Sequence, residues 1–303
     1  MASTSRPVKR PTKAKTSARQ SEVDDAVEAS LSTLAEREVG KGRAVLVHGE
    51  TGVGKTVLAI HKAPRPILVL DADNGLDSVI GTARSDDIDI WSPADEDWNY
   101  PEIRAFGDYV KLGNWRKPYK TIVPDNMTVV QKPIIASVIA DRIARIDDEA
   151  KRALIDPDVP SQQDWGSIYR KLDRWVQDVR NATRRGVHVI FTAGSHSWFD
   201  ASEGYEKIMP DVEGRERKQI STHMDAVGYM DIDEDGNRVL DLAPSGAVIT
   251  KVRLPVKMHG KVPTQLVNPT FEDLINAVSI VEAKEERRKK TATAKKPPTR
   301  KKR

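Results

Sequence analysis

Residues 45–60 read VLVHGETGVGKTVLAI. Gly49, four intervening residues, then Gly54, Lys55 and Thr56 make the spacing GxxxxGK[ST], with an apolar strand before it and an apolar helix start after it. Gly49, Gly52 and Gly54 let the backbone wrap closely around an anion, and the helix that follows turns its positive end towards it. Glu50, Thr51 and Val53 fill out the cradle, Lys55 supplies a mobile cation for outer phosphates, and Thr56 places its hydroxyl on a bound Mg²⁺. The competing reading is a glycine-rich turn leading into a buried helix.

The 303 residues are enough for one large core or two modest ones. There is no cysteine, which excludes disulfide frameworks, thiolate metal sites and cysteine nucleophiles. No run approaches the roughly 18 apolar residues of a membrane span, and residues 1–20 hold cations but no apolar segment. A cytoplasmic protein with no membrane partner is expected. Charge is segregated: residues 1–20 carry six Lys or Arg and no acid, and residues 282–303 carry eleven against three. That leaves 32 of the 49 basic and 42 of the 45 acidic residues in the stretch between. Both ends are poor in large apolar groups and are expected to be disordered, flanking one domain over 21–281. Such tails suit phosphate backbones, or serve only to solubilise.

Along the chain, 21–39 reads as a short amphipathic helix and 44–48 as the first strand. ILVLD, DIDIW and TIVPD, the last ending at Asp125, read as further strands, and 101–113 as a helix. Apolar residues recur at helical spacing from Met127 to about Ile155, and again over 164–185, where Trp165, Ile168, Leu172, Trp175, Val176 and Val179 share one face. GVHVIFTAG is the fifth strand; AVGYMDI, NRVLDLAP and AVITKVRLP follow as short β segments, and 271–281 closes the domain as a helix. Strands alternating with helices, then antiparallel ones, imply a mostly parallel α/β sheet extended by hairpins. Asp231, Asp233, Asp235 and Gly236 match the start of a calcium loop, but its twelfth position is Leu242, so DEDGN reads as a hairpin turn.

A phosphate loop alone does no chemistry; a carboxylate for Mg²⁺ and a group to place the attacking water are also needed. Asp125, at the end of an apolar strand, faces the ligand crevice or simply begins a turn. Strand alternation puts Asp71 and Asp73 on one face, so that both approach one site or one of them braces the loop.

The order of GETGVGKT, LVLDADNGLD, TIVPDN, VIFTAG and ITKVR resembles the RecA-type ATPases, most of all the short core-only ATP-binding proteins of bacteriophages, some of which are single-strand annealing recombinases. The resemblance covers roughly residues 40–280 and implies a RecA-like P-loop core, ATP and Mg²⁺ as cofactors, and a homo-oligomeric ring or filament. It puts Asp125 at the Walker B carboxylate and Asp73 where the family has a catalytic glutamate. It also makes Lys251 and Arg253 catalytic cations that reach a neighbouring subunit's γ-phosphate. Residues 195–219, with Trp198, Phe199, Tyr205, Lys207, Arg215, Arg217 and Lys218, occupy the place of a mobile DNA-contacting loop, and stacking aromatics beside cations suit single-stranded DNA. The acids of that loop, Asp200, Glu203, Glu206, Asp211 and Glu213 among them, make subunit packing the alternative reading.

The sequence departs from the family at three points. Asp73 is a methylene short of the glutamate, Gly194 stands where a polar sensor is usual, leaving Ser195 or His196 to substitute, and Pro124 removes a ladder donor, so that strand is expected to end early or bulge. The function implied is an ATPase acting on single-stranded DNA in phage recombination or replication. A helicase or loader motor on the same core, and an ATP-dependent assembly protein with negligible turnover, are the alternatives.

Overall fold

The first strand, β1 (Ala44–His48), is buried at every position. That is how a parallel strand covered on both faces reads, as an unbroken apolar run rather than an alternation. The computed structural model describes residues 41–79, 81, 87–92, 99–213, 216–253 and 262–279, with the side chains of 216–218 excepted. The helix expected over 21–39 and both basic tails lie outside the described residues. Those described belong to one compact unit that starts at Lys41.

After β1 come α1 (Lys55–Ile60), β2 (Ile67–Asp71), β3 (Ile88–Trp91), α2 (Tyr100–Leu112) and β4 (Thr121–Asp125). Then follow α3 (Met127–Ala144), α4 (Glu149–Arg152), α5 (Asp164–Arg180), β5 (His188–Ala193) and a two-stranded hairpin of β6 (Ser195–Asp200) and β7 (Tyr205–Pro210). The chain closes with α6 (Glu216–His223), β8 (Ala226–Ile232), β9 (Arg238–Asp241), β10 (Lys251–Val252), β11 (Gln265–Val267) and α7 (Phe271–Ala277). The main sheet runs β11-β9-β8-β1-β5-β4-β2-β3, with β10 also on β8. From β8 to β3 neighbours are parallel, whereas β9, β10 and β11 pair antiparallel. The α/β architecture expected of a P-loop NTPase core, with its antiparallel extension, is therefore present.

Side chains alternate across the sheet and build a core on each face. Leu46, Ile122 and Phe191 pack with Ile103 and Phe106 of α2, Ile134 of α3, and Leu172 and Trp175 of α5. Val47, Val69 and Ile190 pack on the other face with Leu58 and Ile60 of α1 and Phe271 and Leu274 of α7. Trp175 is core, as its periodicity predicts, and its indole N–H donates to Ile103 O at 2.8 Å.

Several local expectations need correction. The helix after Asp125 stops at Ala144, because Asp148 accepts from the Ala150 and Lys151 amides and caps a new short helix. Pro124 neither ends nor bulges β4, whose ladder to β2 runs through Leu70↔Pro124 to Asp71↔Asp125. Its effect falls on the other side, where the ladder to β5 stops at Ile122↔Val189. The stretch 247–253 is divided: Ile208 of β7 donates to Ala247 O and accepts from Ile249 N–H, and Lys251 and Val252 pair with β8. Residues 195–210 are a regular hairpin, not a loop, with Trp198 opposite Lys207 and Phe199 opposite Glu206. DEDGN is the tight turn between β8 and β9; Asp233 accepts from the Asp235 and Asn237 amides, and Gly236 has φ of 80°. Among the described residues no helix is long and apolar enough to cross a membrane.

Candidate nucleotide site

The carboxyl ends of β1, β2, β4 and β5 converge on one cavity of about 700 Å³, a size that suits a small organic ligand. Its lining includes Gly49, Glu50, Thr51, Gly52, Gly54, Lys55 and Thr56 from the loop after β1, together with Asp73 and Asp125. Val53 differs: its side chain is buried in the core beside Leu58, so this residue can offer a ligand only its backbone. Gly49 is required by close approach, since a Cβ there would lie 2.1 Å from Met230 O of β8. Lys55 Nζ donates to Gly49 O at 2.9 Å and Glu50 O at 2.7 Å, folding the cation back over the loop. Burial lowers its pKa, opposed by Asp125, Glu50 and Asp73.

Asp125 is buried and accepts hydrogen bonds from two threonines. Thr56 Oγ1 donates to Oδ2 at 2.7 Å, and Thr192 Oγ1 donates to Oδ1. Burial raises its pKa, and the two hydroxyls work in the opposite direction. Thr56 spends its one hydrogen on Asp125, which leaves its oxygen lone pairs available as acceptors. Among the described residues no three His, Asp or Glu side chains form a metal cage. One hydroxyl and one or two carboxylates instead fit the partial oxygen shell of a Mg²⁺ ion whose remaining ligands are phosphate oxygens and water.

Asp71 and Asp73 share a face, as strand alternation implies: Ala72 between them packs into the core on the opposite side, and both carboxylates come to Gly75, where a Cβ would lie 2.8 Å from Asp73 Oδ1. Asp73 lines the cavity and accepts from Asn126 Nδ2. Asp71, in register with Asp125, braces the loop by accepting from Gly75 N–H at 3.1 Å. Burial, with Asp73 and Asp125 nearby, pushes Asp71 up to about 6.

The position after β5 explains the absence of a polar side chain. A Cβ at Gly194 would lie 3.3 Å from Thr128 Oγ1 and 3.4 Å from Asp211 Cβ, a tight fit that disfavours a longer side chain there. Thr128 Oγ1 itself accepts from Gly194 N–H and donates to Asp211 O. Of the two substitutes expected there, Ser195 reaches the cavity, while His196 is exposed on the hairpin and outside the lining. Ser195 Oγ lies 2.9 Å from His48 Nδ1, and His48 Nε2 lies 2.9 Å from Ile249 O. A carbonyl only accepts, so Nε2 carries the proton and Ser195 donates to Nδ1. Burial keeps His48 neutral, with its pKa lowered to about 4.

Lys251 and Arg253 lie elsewhere. Lys251 Nζ donates to Ser221 O at 2.6 Å and an Arg253 guanidinium N–H to Thr222 O at 2.9 Å, so both cap the carboxyl end of α6. Arg253 N–H donates to Asp225 O, which places it level with Ala44, the start of β1, about 13 Å of strand from the phosphate loop. The two cations share one face, as their spacing implies, but that face is not turned to the cavity of their own subunit.

Thr192, Asn126, Thr128, Asp211 and Arg238 also contribute to the site or its support, and sequence reading did not single them out. A sequence profile described as an AAA domain matches residues 41–254. The chain belongs to the AAA domain family. As an AAA domain it is of the P-loop ATPase type, and the ligand class for its cavity is a nucleotide. No curated protein sequence matches it.

Proposed function

We propose that this protein binds and hydrolyses ATP with Mg²⁺, assembles into a ring or filament, and acts on single-stranded DNA in phage recombination or replication. The observation that carries the reading is that the nucleotide cavity and the base of the hairpin are one structure: Gly194, Ser195 and Asp211 line the cavity and flank β6 and β7. That hairpin presents Phe199, 59% exposed, and Trp198, 37% exposed, as stacking surfaces. In this reading Lys55 holds the outer phosphates, Thr56 and Asp125 hold Mg²⁺, and Asp73 orients the attacking water. Bound Mg²⁺ would neutralise charge developing on the transferred phosphoryl group. Lys251 and Arg253 would serve a neighbour's site with N–H groups not spent on α6, and Arg253 has several to spare.

ATP hydrolysis measured with and without single-stranded DNA across a salt series tests the proposal. Stimulation by DNA that fades with salt supports it, and absence of DNA binding near physiological salt removes the recombination role. Lys55→Ala should abolish nucleotide binding or turnover. A second reading, an ATP-dependent assembly protein with negligible turnover, draws on the state of Lys207. Its amine is held by Asp200 at 2.9 Å and Glu203 at 2.7 Å, so the hairpin has less cationic character than its sequence suggests. That reading predicts ATP-dependent light scattering with no response to DNA.

A further inference from the structure

Arg238 opens β9, immediately after the turn at 233–237, and its side chain lies against the phosphate loop. A Cβ placed on Gly54 would sit 2.5 Å from Arg238 Nε and 2.9 Å from Cδ, so the guanidinium stem occupies the slot that glycine leaves open. Its backbone is fixed on both sides by one residue: Arg238 N–H donates to Asn268 Oδ1 at 3.0 Å, and Asn268 N–H donates to Arg238 O at 2.6 Å. Among the described residues its guanidinium pairs with no carboxylate. An exposed cation beside a loop of backbone amides is open to an anionic ligand.

The sheet order decides which part of the ligand it meets. Asp125 and Asp73 follow β4 and β2, on the β5 side of β1, and Thr56 is bonded to Asp125. The metal and outer phosphates belong on that side. Arg238 comes from β9, on the β8 side, and lines the same cavity. We propose that Arg238 is a nucleotide-binding residue acting within its own subunit, its guanidinium holding the α-phosphate from the side of the loop opposite Asp73 and Asp125. A planar fork of donors suits two non-bridging phosphate oxygens.

The inference rests on the nucleotide-binding reading, and calorimetry on the full chain with Mg²⁺ separates the two. ATP, ADP and inorganic tripolyphosphate are titrated into the wild type, Arg238→Gln and Arg238→Met, the last keeping an apolar stem over Gly54. Both variants should lose about tenfold or more in affinity for all three ligands, as expected when one charge-assisted contact is lost. Arg238→Lys should recover part of the loss, and kcat at saturating ATP should move less than the affinities. A loss confined to ATP would assign the contact to the γ-phosphate, and unchanged tripolyphosphate binding would assign it to the base. Either result overturns the proposal, as does equal binding by wild type and variants. If the wild type binds none of the three, the nucleotide reading itself falls and takes this one with it.

Discussion

Asp71 carries an electrostatic cost. It is 6% exposed, its charge is disfavoured first by burial, and the acids at 73 and 125 add to that. Its folded pKa, about 6, stands above the ordinary 3.8, so the stability linked to its proton is present below about pH 4 and is lost as pH rises through 6. Asp71→Asn keeps an oxygen for Gly75 N–H and removes the titration. Relative to wild type, the variant should gain on the order of 1–2 kcal/mol between pH 4 and 7, read by denaturant unfolding at several pH values. A difference that stays flat over that window would mean the charge is not costly there. At this scale the sequence exposes side chains whose role follows from a local pattern, Lys55 and Thr56 above all. Thr192 and Arg238 escape it because their partners, Asp125 and Gly54, are far along the chain and meet them only through sheet order.

Among the elements, the close passage of β1 beside β8 makes a specific demand. The Cβ of Gly49→Ala would meet a backbone carbonyl, Met230 O, which cannot rotate away as a side chain can. The variant should lose roughly 1–3 kcal/mol of unfolding free energy even without nucleotide, measurable by denaturant titration, whereas a purely ligand-facing glycine would leave the apo protein unchanged. Buried parallel strands and the amphipathic α5 were legible because each is a run of one periodicity. The hairpin over 195–210 was not, because its polar, acidic and aromatic residues read as a surface loop. Its outward alternation, the turn at Gly204 with φ of 77° and the β-favouring Trp, Phe and Tyr were the available signs. Likewise β10 is only two residues long, as Ile208 claims the bonds of the segment before it.

For the whole molecule, the distance of Lys251 and Arg253 from their own cavity makes the proposed action across subunits directly testable. Arg253→Ala should bind ATP and not hydrolyse it, and mixing it with Lys55→Ala should restore part of the activity, because a mixed contact joins an intact loop to an intact arginine. A mixture as inactive as its components would leave these cations with the α6 cap alone. Removing residues 284–303, which lie outside the described residues, should weaken affinity for single-stranded DNA at low salt and flatten its salt slope in filter or fluorescence titrations. The hairpin has a mechanical consequence of its own. Both of its ends are clamped where Gly194, Asp211 and Thr128 exchange hydrogen bonds, and His48 ties Ser195 to the strand that leads into the phosphate loop. Two cross-bonded six-residue strands form a stiff arm of about 20 Å. A tilt of about 10° at the clamp carries its tip by about 3 Å, a lever ratio that magnifies small adjustments around a ligand without any strand having to unfold.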